Sequence, residues 1–266
     1  MTASPRLPLT PLNSPADPVF LVCASTQRGD YFSRSTLLGR SLATFPAQAQ
    51  PRLCLAADNG GAAARGLPEI YNQAIEALPP EAVLVFVHDD IYIHDWNLAE
   101  QLHLALSMFD VVGLVGCLQA QADQPGWCFR LDAQNRPVRL TELACSGTIN
   151  HFDPHQVRPD YFGPAPRACE LVDGALLAVR NRVLKASGLR FDPRFRFHCY
   201  DTDFCRSARA LGLTVGTWPL ACSHGSPGNF SQQWVNDAQQ WLQKWGASTS
   251  GMANPGLSAP TPSTPS

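Results

Sequence analysis

Three short stretches of the chain hold residue types that can share a reaction. The first is VFVHDDIYI, residues 85 to 93, an apolar run that stops at His88, Asp89 and Asp90 and then turns apolar again. Two ionised carboxylates side by side repel, and burial raises the pKa of one of them unless a cation lies between or beside them. A hard divalent cation, Mg²⁺ or Mn²⁺, resolves the conflict, because it takes oxygen ligands and keeps positions open for substrate phosphates. The second stretch is YDTDF, residues 200 to 204, which sets Asp201 and Asp203 at the start of an expected helix. There a carboxylate caps the helix and meets its positive end, or serves as a general base. The third is CSHGSPG, where His224 follows an expected strand end among small residues that let a ligand approach. Asp173 and Gly174 join these as a carboxylate and a side-chain-free position leading into a strand. Each stretch has a plainer reading: solvated loop start for Asp89 and Asp90, cap for Asp201, ordinary histidine for His224, turn aspartate for Asp173.

Residues placed this way need strands that end where they begin. Apolar runs at 18–24, 51–58, 82–90 and 111–117 read as strands, and helical stripes fall at 31–44, 67–78 and 95–109. Continuous Val/Leu/Phe strands separated by helices signal a parallel sheet covered on both faces. Ligands bind at the C-terminal ends of such strands, where His88, Asp89 and Asp90 lie. From 118 to 168 the pattern dissolves into proline, asparagine and aromatics, a stretch long enough to be functional or to hold a hairpin. Order returns with a strand and short helix over ELVDGALLAVRNRVLKASG, a helix from YDTDF, a strand over LTVGTWPLACSHGS and a helix at 230–245 on which Trp234, Trp241 and Trp245 share a face. The expected fold class is α/β: a Rossmann-like, mostly parallel central sheet flanked by helices, with an irregular insertion. Residues 17–246 are expected as a single domain, with disordered tails at 1–16 and 247–266.

Composition excludes several classes of function. The chain has 266 residues, 45% of them hydrophobic and 16% charged, which fits a packed core. A net charge of −2 with both signs scattered offers no basic stripe for nucleic acid. No run approaches the length a transmembrane helix needs, and the proline-rich start is unlike a secretory leader. The nine cysteines include no C-x-x-C pair and sit mostly in apolar segments. Reduced, buried thiols in a cytoplasmic protein are expected. His198, Cys199, Cys205, Cys222 and His224 match no usual structural zinc spacing.

Taken in order, FVHDD, GLPEIYNQAI, VDGALLAVR, FHCYDTDFCRSARALG and SHGSPG resemble nucleotide-sugar glycosyltransferases of the GT-A fold. The resemblance is greatest to the family-2-like group typified by a streptomycin-biosynthesis glycosyltransferase-like protein, and it spans residues 18 to 230. It implies inverting transfer of a sugar from a nucleoside diphosphate to an acceptor hydroxyl on a glycan or other molecule. His88-Asp89-Asp90 matches the D-x-D position, with Asp90 binding the metal that bridges the donor diphosphate and Asp89 assisting. His224 matches a histidine that completes the metal site, and Asp201 matches the catalytic base. Asp173 and Gly174 fall near the donor sugar, and the stretch with Trp127, His151, His155 and Tyr161 falls on the acceptor side. The chain departs from the pattern in having His88 for the first aspartate and Tyr200 where many family members have glutamate. Two competing readings are an inactive GT-A module that binds nucleotide sugar or glycan, and a metal-dependent nucleotidyltransferase. The latter usually carries a glycine-rich Lys/Arg signature near its first strand, where STQRGDYFSR offers only Arg28.

Overall fold

The computed structural model describes residues 17–152, 157–226, 228 and 230–246. The expected tails, 1–16 and 247–266, and His155 lie outside the described residues. The core is a seven-stranded sheet built from β1 (Val19–Ala24), β2 (Arg52–Ala56), β3 (Val83–Val87), β5 (Val111–Gly113), β11 (Arg167–Ala168), β13 (Leu176–Arg180) and β14 (Val215–Thr217). Their order across the sheet is β11-β14-β5-β13-β3-β1-β2. β1, β2, β3, β5 and β14 run one way, and β13 and β11 run against them. The architecture is thus mixed α/β with a mostly parallel core sheet, as the apolar strand runs predict.

Both faces of that sheet are covered, and the strands show it by alternation. On β1 and β3, Phe20, Val22, Leu84 and Phe86 enter one core with α3 (Leu67–Ala77), α5 (Asn181–Ser187), α6 (Tyr200–Ala210) and α7 (Gln232–Trp245). Val19, Leu21, Cys23, Val83, Val85 and Val87 enter the other, with α1 (Gly29–Ser35), α2 (Leu37–Leu42) and α4 (Leu98–Met108). All five side chains of β3 are fully buried. Each is worth roughly 1.5–3 kcal/mol in transfer free energy, which makes β3 a rigid floor for the residues that follow it.

A second sheet lies across the ends of the first. It comprises β4 (Ile91–Ile93), β6 (Val115–Cys117), β9 (Cys145–Phe152), β12 (Leu171–Val172) and β15 (Cys222–His224), with β10 (Val157–Gly163) paired to β9. The remaining strands, β7 (Phe129–Leu131) and β8 (Pro137–Arg139), form a separate hairpin. The insertion expected to be irregular therefore holds two hairpins, β7–β8 and β9–β10.

Several elements expected to be continuous are divided. The 111–117 strand leaves the first sheet at Gly113 and enters the second at Val115. The packing of Val172 there leaves no room for a Cβ at Gly113, which would lie 2.7 Å from the Val172 Cβ. The expected strands after residues 170 and 213 divide in the same way, into β12 with β13 and β14 with β15. The 31–44 helix breaks at Thr36, whose extended backbone and side chain, accepting a hydrogen bond from Gly39 N at 2.9 Å, start α2 afresh. Trp234 and Trp241 are buried on one face of α7, as their spacing predicts.

Candidate functional site

The chemistry-bearing residues collect where the chain steps from one sheet to the other. His88, Asp89 and Asp90 join β3 to β4, Asp173 and Gly174 join β12 to β13, and His224 ends β15. Backbone bonds zip these crossings together: His88 N donates to Ala175 O at 3.0 Å, Asp173 N to Val115 O at 2.9 Å, and Gly225 N to Asp90 O at 2.8 Å. A strand tip carries two carboxylates here because it is a junction between sheets, and the two diverge. Asp89 Oδ2 accepts a hydrogen bond from Ser25 Oγ at 2.5 Å, which binds the junction to the end of β1. Asp90 turns the other way, into a cavity of about 370 Å³ that Asp89 does not line.

Asp90 meets two histidines there. His224 Nε2 lies 3.3 Å from Asp90 Oδ1, and His88 Nδ1 lies 4.0 Å from the same oxygen. One ligand atom from each of His88, Asp90 and His224 lies within 4.8 Å of the others, the group among the described residues that can hold a metal ion. Asp90 Oδ1 and His224 Nε2 are buried and face each other as an ion pair, with no other partner. An oxygen and two nitrogens within 4.8 Å of one another, in the lining of a cavity, fit a divalent cation. Burial pushes the Asp90 carboxyl up, but His224 and then His88 outweigh it and hold it below the ordinary carboxylate range. Burial likewise pushes His224 down, and the Asp90 charge outweighs it, so His224 is raised. His88 is lowered, by burial first.

Asp201 lines the same cavity from the first turn of α6. Its Oδ2 accepts a hydrogen bond from Gly174 N at 2.9 Å. Burial, and then the charge of Asp173, push its carboxyl up to about 7. Asp173 also lines the cavity while its Oδ1 accepts from Ala175 N at 2.9 Å, so it is a turn aspartate and a site residue at once. Gly174 has no space for a side chain: a Cβ would lie 2.5 Å from Tyr200 Oη and 2.8 Å from Asp201 Cβ. Asp203, two residues from Asp201, does something different. It is fully buried and accepts from Trp245 Nε1 at 2.8 Å, with Lys244 Nζ at 2.6 Å, fastening α6 to α7.

The cavity's far wall comes from the hairpins. Trp127 and Phe162 meet edge-on with centroids 5.0 Å apart, and His151 Nε2 lies 3.0 Å from Asp160 Oδ2. Asp160 and Phe162 line the cavity, whereas Tyr161, on the other face of β10, is 69% exposed and does not. Sequence reasoning missed Phe197, half-exposed and stacked on His88 with an interplanar angle of 12°, and the part played by Tyr200. Tyr200 Oη lies 2.8 Å from His88 Nε2 and donates to Gly174 O at 2.8 Å. Its place beside Asp201 was the available signal. The five residues weighed for zinc do not form a metal-holding group among the described residues. All nine cysteines are free thiols, and among the described residues no helix is long and apolar enough to cross a membrane.

No protein-family model matches the sequence, and no curated protein matches it. Solved structures do. The chain is similar to GalNAc-T7, crystallised with UDP, GalNAc and Mn²⁺, with a TM-score of 0.51 at 10% identity over 88% of this chain. The match spans half the length of that protein's chain. A197 from STIV gives a TM-score of 0.43 at 10% identity, covering 79% of this chain and 86% of its own. TarS from S. aureus gives 0.41 at 12% identity, covering 85% of this chain and 65% of its own. The GalNAc-T7 match establishes similarity of fold to a GT-A glycosyltransferase, and the sequence identity is too low to carry more.

Proposed function

We propose that the chain is a metal-dependent, inverting glycosyltransferase that moves a sugar from a nucleoside-diphosphate sugar to an acceptor hydroxyl. One observation carries the reading: a carboxyl held at about 7 and the His88–Asp90–His224 group line the same cavity. In this reading Asp90, His224 and His88 hold Mn²⁺ or Mg²⁺. When bound, the cation offsets the negative charge that grows on the departing diphosphate.

The remaining work falls to the chain's own groups. Asp201 takes the acceptor proton, and a carboxyl near 7 is well matched to that task because it is basic enough to accept a proton while about half of it is ionised at neutral pH. Its hydrogen bond from Gly174 N holds the carboxylate at the cavity wall. Asp173 and Gly174 border the donor sugar, and Asp89, bonded to Ser25 outside the cavity, braces the junction at the end of β1. Trp127 and Phe162 offer apolar ring faces to an acceptor and help exclude water from the attacked carbon.

The UDP and Mn²⁺ of GalNAc-T7 make a UDP-sugar with Mn²⁺ the first pair to try. A panel of nucleotide sugars, scored by thermal stabilisation with Mn²⁺ and with EDTA, should yield a donor that stabilises only with metal. That donor should then be consumed in the presence of a hydroxyl acceptor. Absence of stabilisation by any nucleoside diphosphate, with or without metal, would overturn the proposal.

A further inference from the structure

We infer that the Tyr200 hydroxyl sets the tautomer of His88 and so keeps the Nδ1 lone pair open toward Asp90 and His224. Tyr200 is then a positioning residue for the cation. The inference rests on the metal reading of His88, Asp90 and His224 given above.

The argument is a count of protons. A phenol has one, and the Gly174 carbonyl oxygen 2.8 Å from Tyr200 Oη can only accept it. With that proton committed, Oη presents a lone pair to His88 Nε2, also at 2.8 Å. The contact is a hydrogen bond only if Nε2 carries the hydrogen. A neutral imidazole has one N–H, so Nδ1 is bare. Nδ1 is the nitrogen that lies 4.0 Å from Asp90 Oδ1.

The opposite tautomer has a driving force of its own. An Nδ1–H would face the Asp90 carboxylate and be attracted to it, and a nitrogen carrying hydrogen cannot ligate a metal. Tyr200 opposes that choice from the far side of the ring, while Phe197 stacks on the ring. A hydrogen bond to the non-ligating nitrogen is the usual means by which a protein orients a metal-binding histidine. Here the donor and acceptor roles are fixed two bonds away, at a glycine whose N–H holds Asp201. Gly174 therefore joins His88, through Tyr200, to Asp201 by the C=O and the N–H of a single residue.

Histidine ¹⁵N NMR of the metal-free protein at about pH 8, where an ordinary imidazole is neutral, reads the tautomer directly. His88 should be the Nε2–H form in the wild type and should move toward Nδ1–H in Tyr200→Phe. Mn²⁺ affinity, read by electron paramagnetic resonance of the free ion, should fall about 10–100-fold in Tyr200→Phe. Tyr31→Phe is the control, because Tyr31 is exposed and lies outside the cavity. It should leave both readings unchanged. An Nδ1–H tautomer in the wild type overturns the inference even if Tyr200→Phe fails to fold, and so does equal Mn²⁺ affinity in a folded Tyr200→Phe. A wild type that binds no Mn²⁺ defeats the metal reading instead, and the tautomer still decides what Tyr200 does to His88.

Discussion

Replacing Asp201 with asparagine separates a general base from a helix cap, because the two roles predict opposite dependence on pH. Burial and the charge of Asp173 hold the Asp201 carboxyl at about 7, against an ordinary 3.8. Between those values the folded chain keeps a proton that the unfolded chain has released. The stability contributed by this group is full below the unfolded value and is lost as pH rises through the folded one. Of that displacement about two units fall between pH 5 and 8, equivalent to at most about 3 kcal/mol. Asp201 opens onto the cavity, so solvent screening should reduce the measurable change to about 1–2 kcal/mol. Asparagine does not ionise and can still accept from Gly174 N, so Asp201→Asn should escape the loss. Compared with wild type, the variant should gain about 2–8 °C in melting temperature on going from pH 5 to pH 8. The scans belong in EDTA, so that no cation contributes. Sugar transfer by the same variant should fall roughly 10²–10⁴-fold. A difference in melting temperature that is equal at both pH values would show that Asp201 titrates as an ordinary carboxyl. Transfer close to the wild-type rate would show that it is not the base.

Other perturbations probe the remaining parts. Asp90→Asn should weaken nucleoside-diphosphate binding with Mn²⁺ and leave it unchanged with EDTA; calorimetry giving equal affinity in all four combinations would remove Asp90 as a ligand. Gly174→Ala should abolish transfer and weaken Mn²⁺ binding together, because its Cβ would lie 2.5 Å from Tyr200 Oη. Wild-type transfer by that variant would contradict the close approach. Lys244→Ala strips the cation from the fully buried Asp203 and should cost about 3 kcal/mol in urea unfolding. A loss below about 1 kcal/mol would place that pair among weak surface bridges.

The sequence by itself determined the class of fold and most of the candidate residues. Continuous apolar strands such as VLVFV have to be buried on both faces, and helical stripes such as that of α3 supply the cover, so a layered α/β core follows from local pattern alone. His88, Asp90 and His224 stood out as candidates because polar residues at the end of an apolar run mark a strand's end, Asp173 because it leads into a strand, and Asp201 because it opens a helix.

Tertiary structure decided what surrounds those residues. Nothing local tells that VVGLVGC changes sheets at Leu114, since strand pairing is a contact between distant segments and either half reads as an ordinary strand. Adjacent or near-adjacent acids were equally indistinguishable: Asp89 holds Ser25 while Asp90 faces two histidines, and Asp201 faces the cavity while Asp203 is fastened to Lys244 and Trp245. A carboxylate's pKa and partners are set by what surrounds it in space. The Tyr200–Gly174–His88 contacts join residues separated by 26 and 112 positions, and only the folded chain brings them within a hydrogen bond of one another.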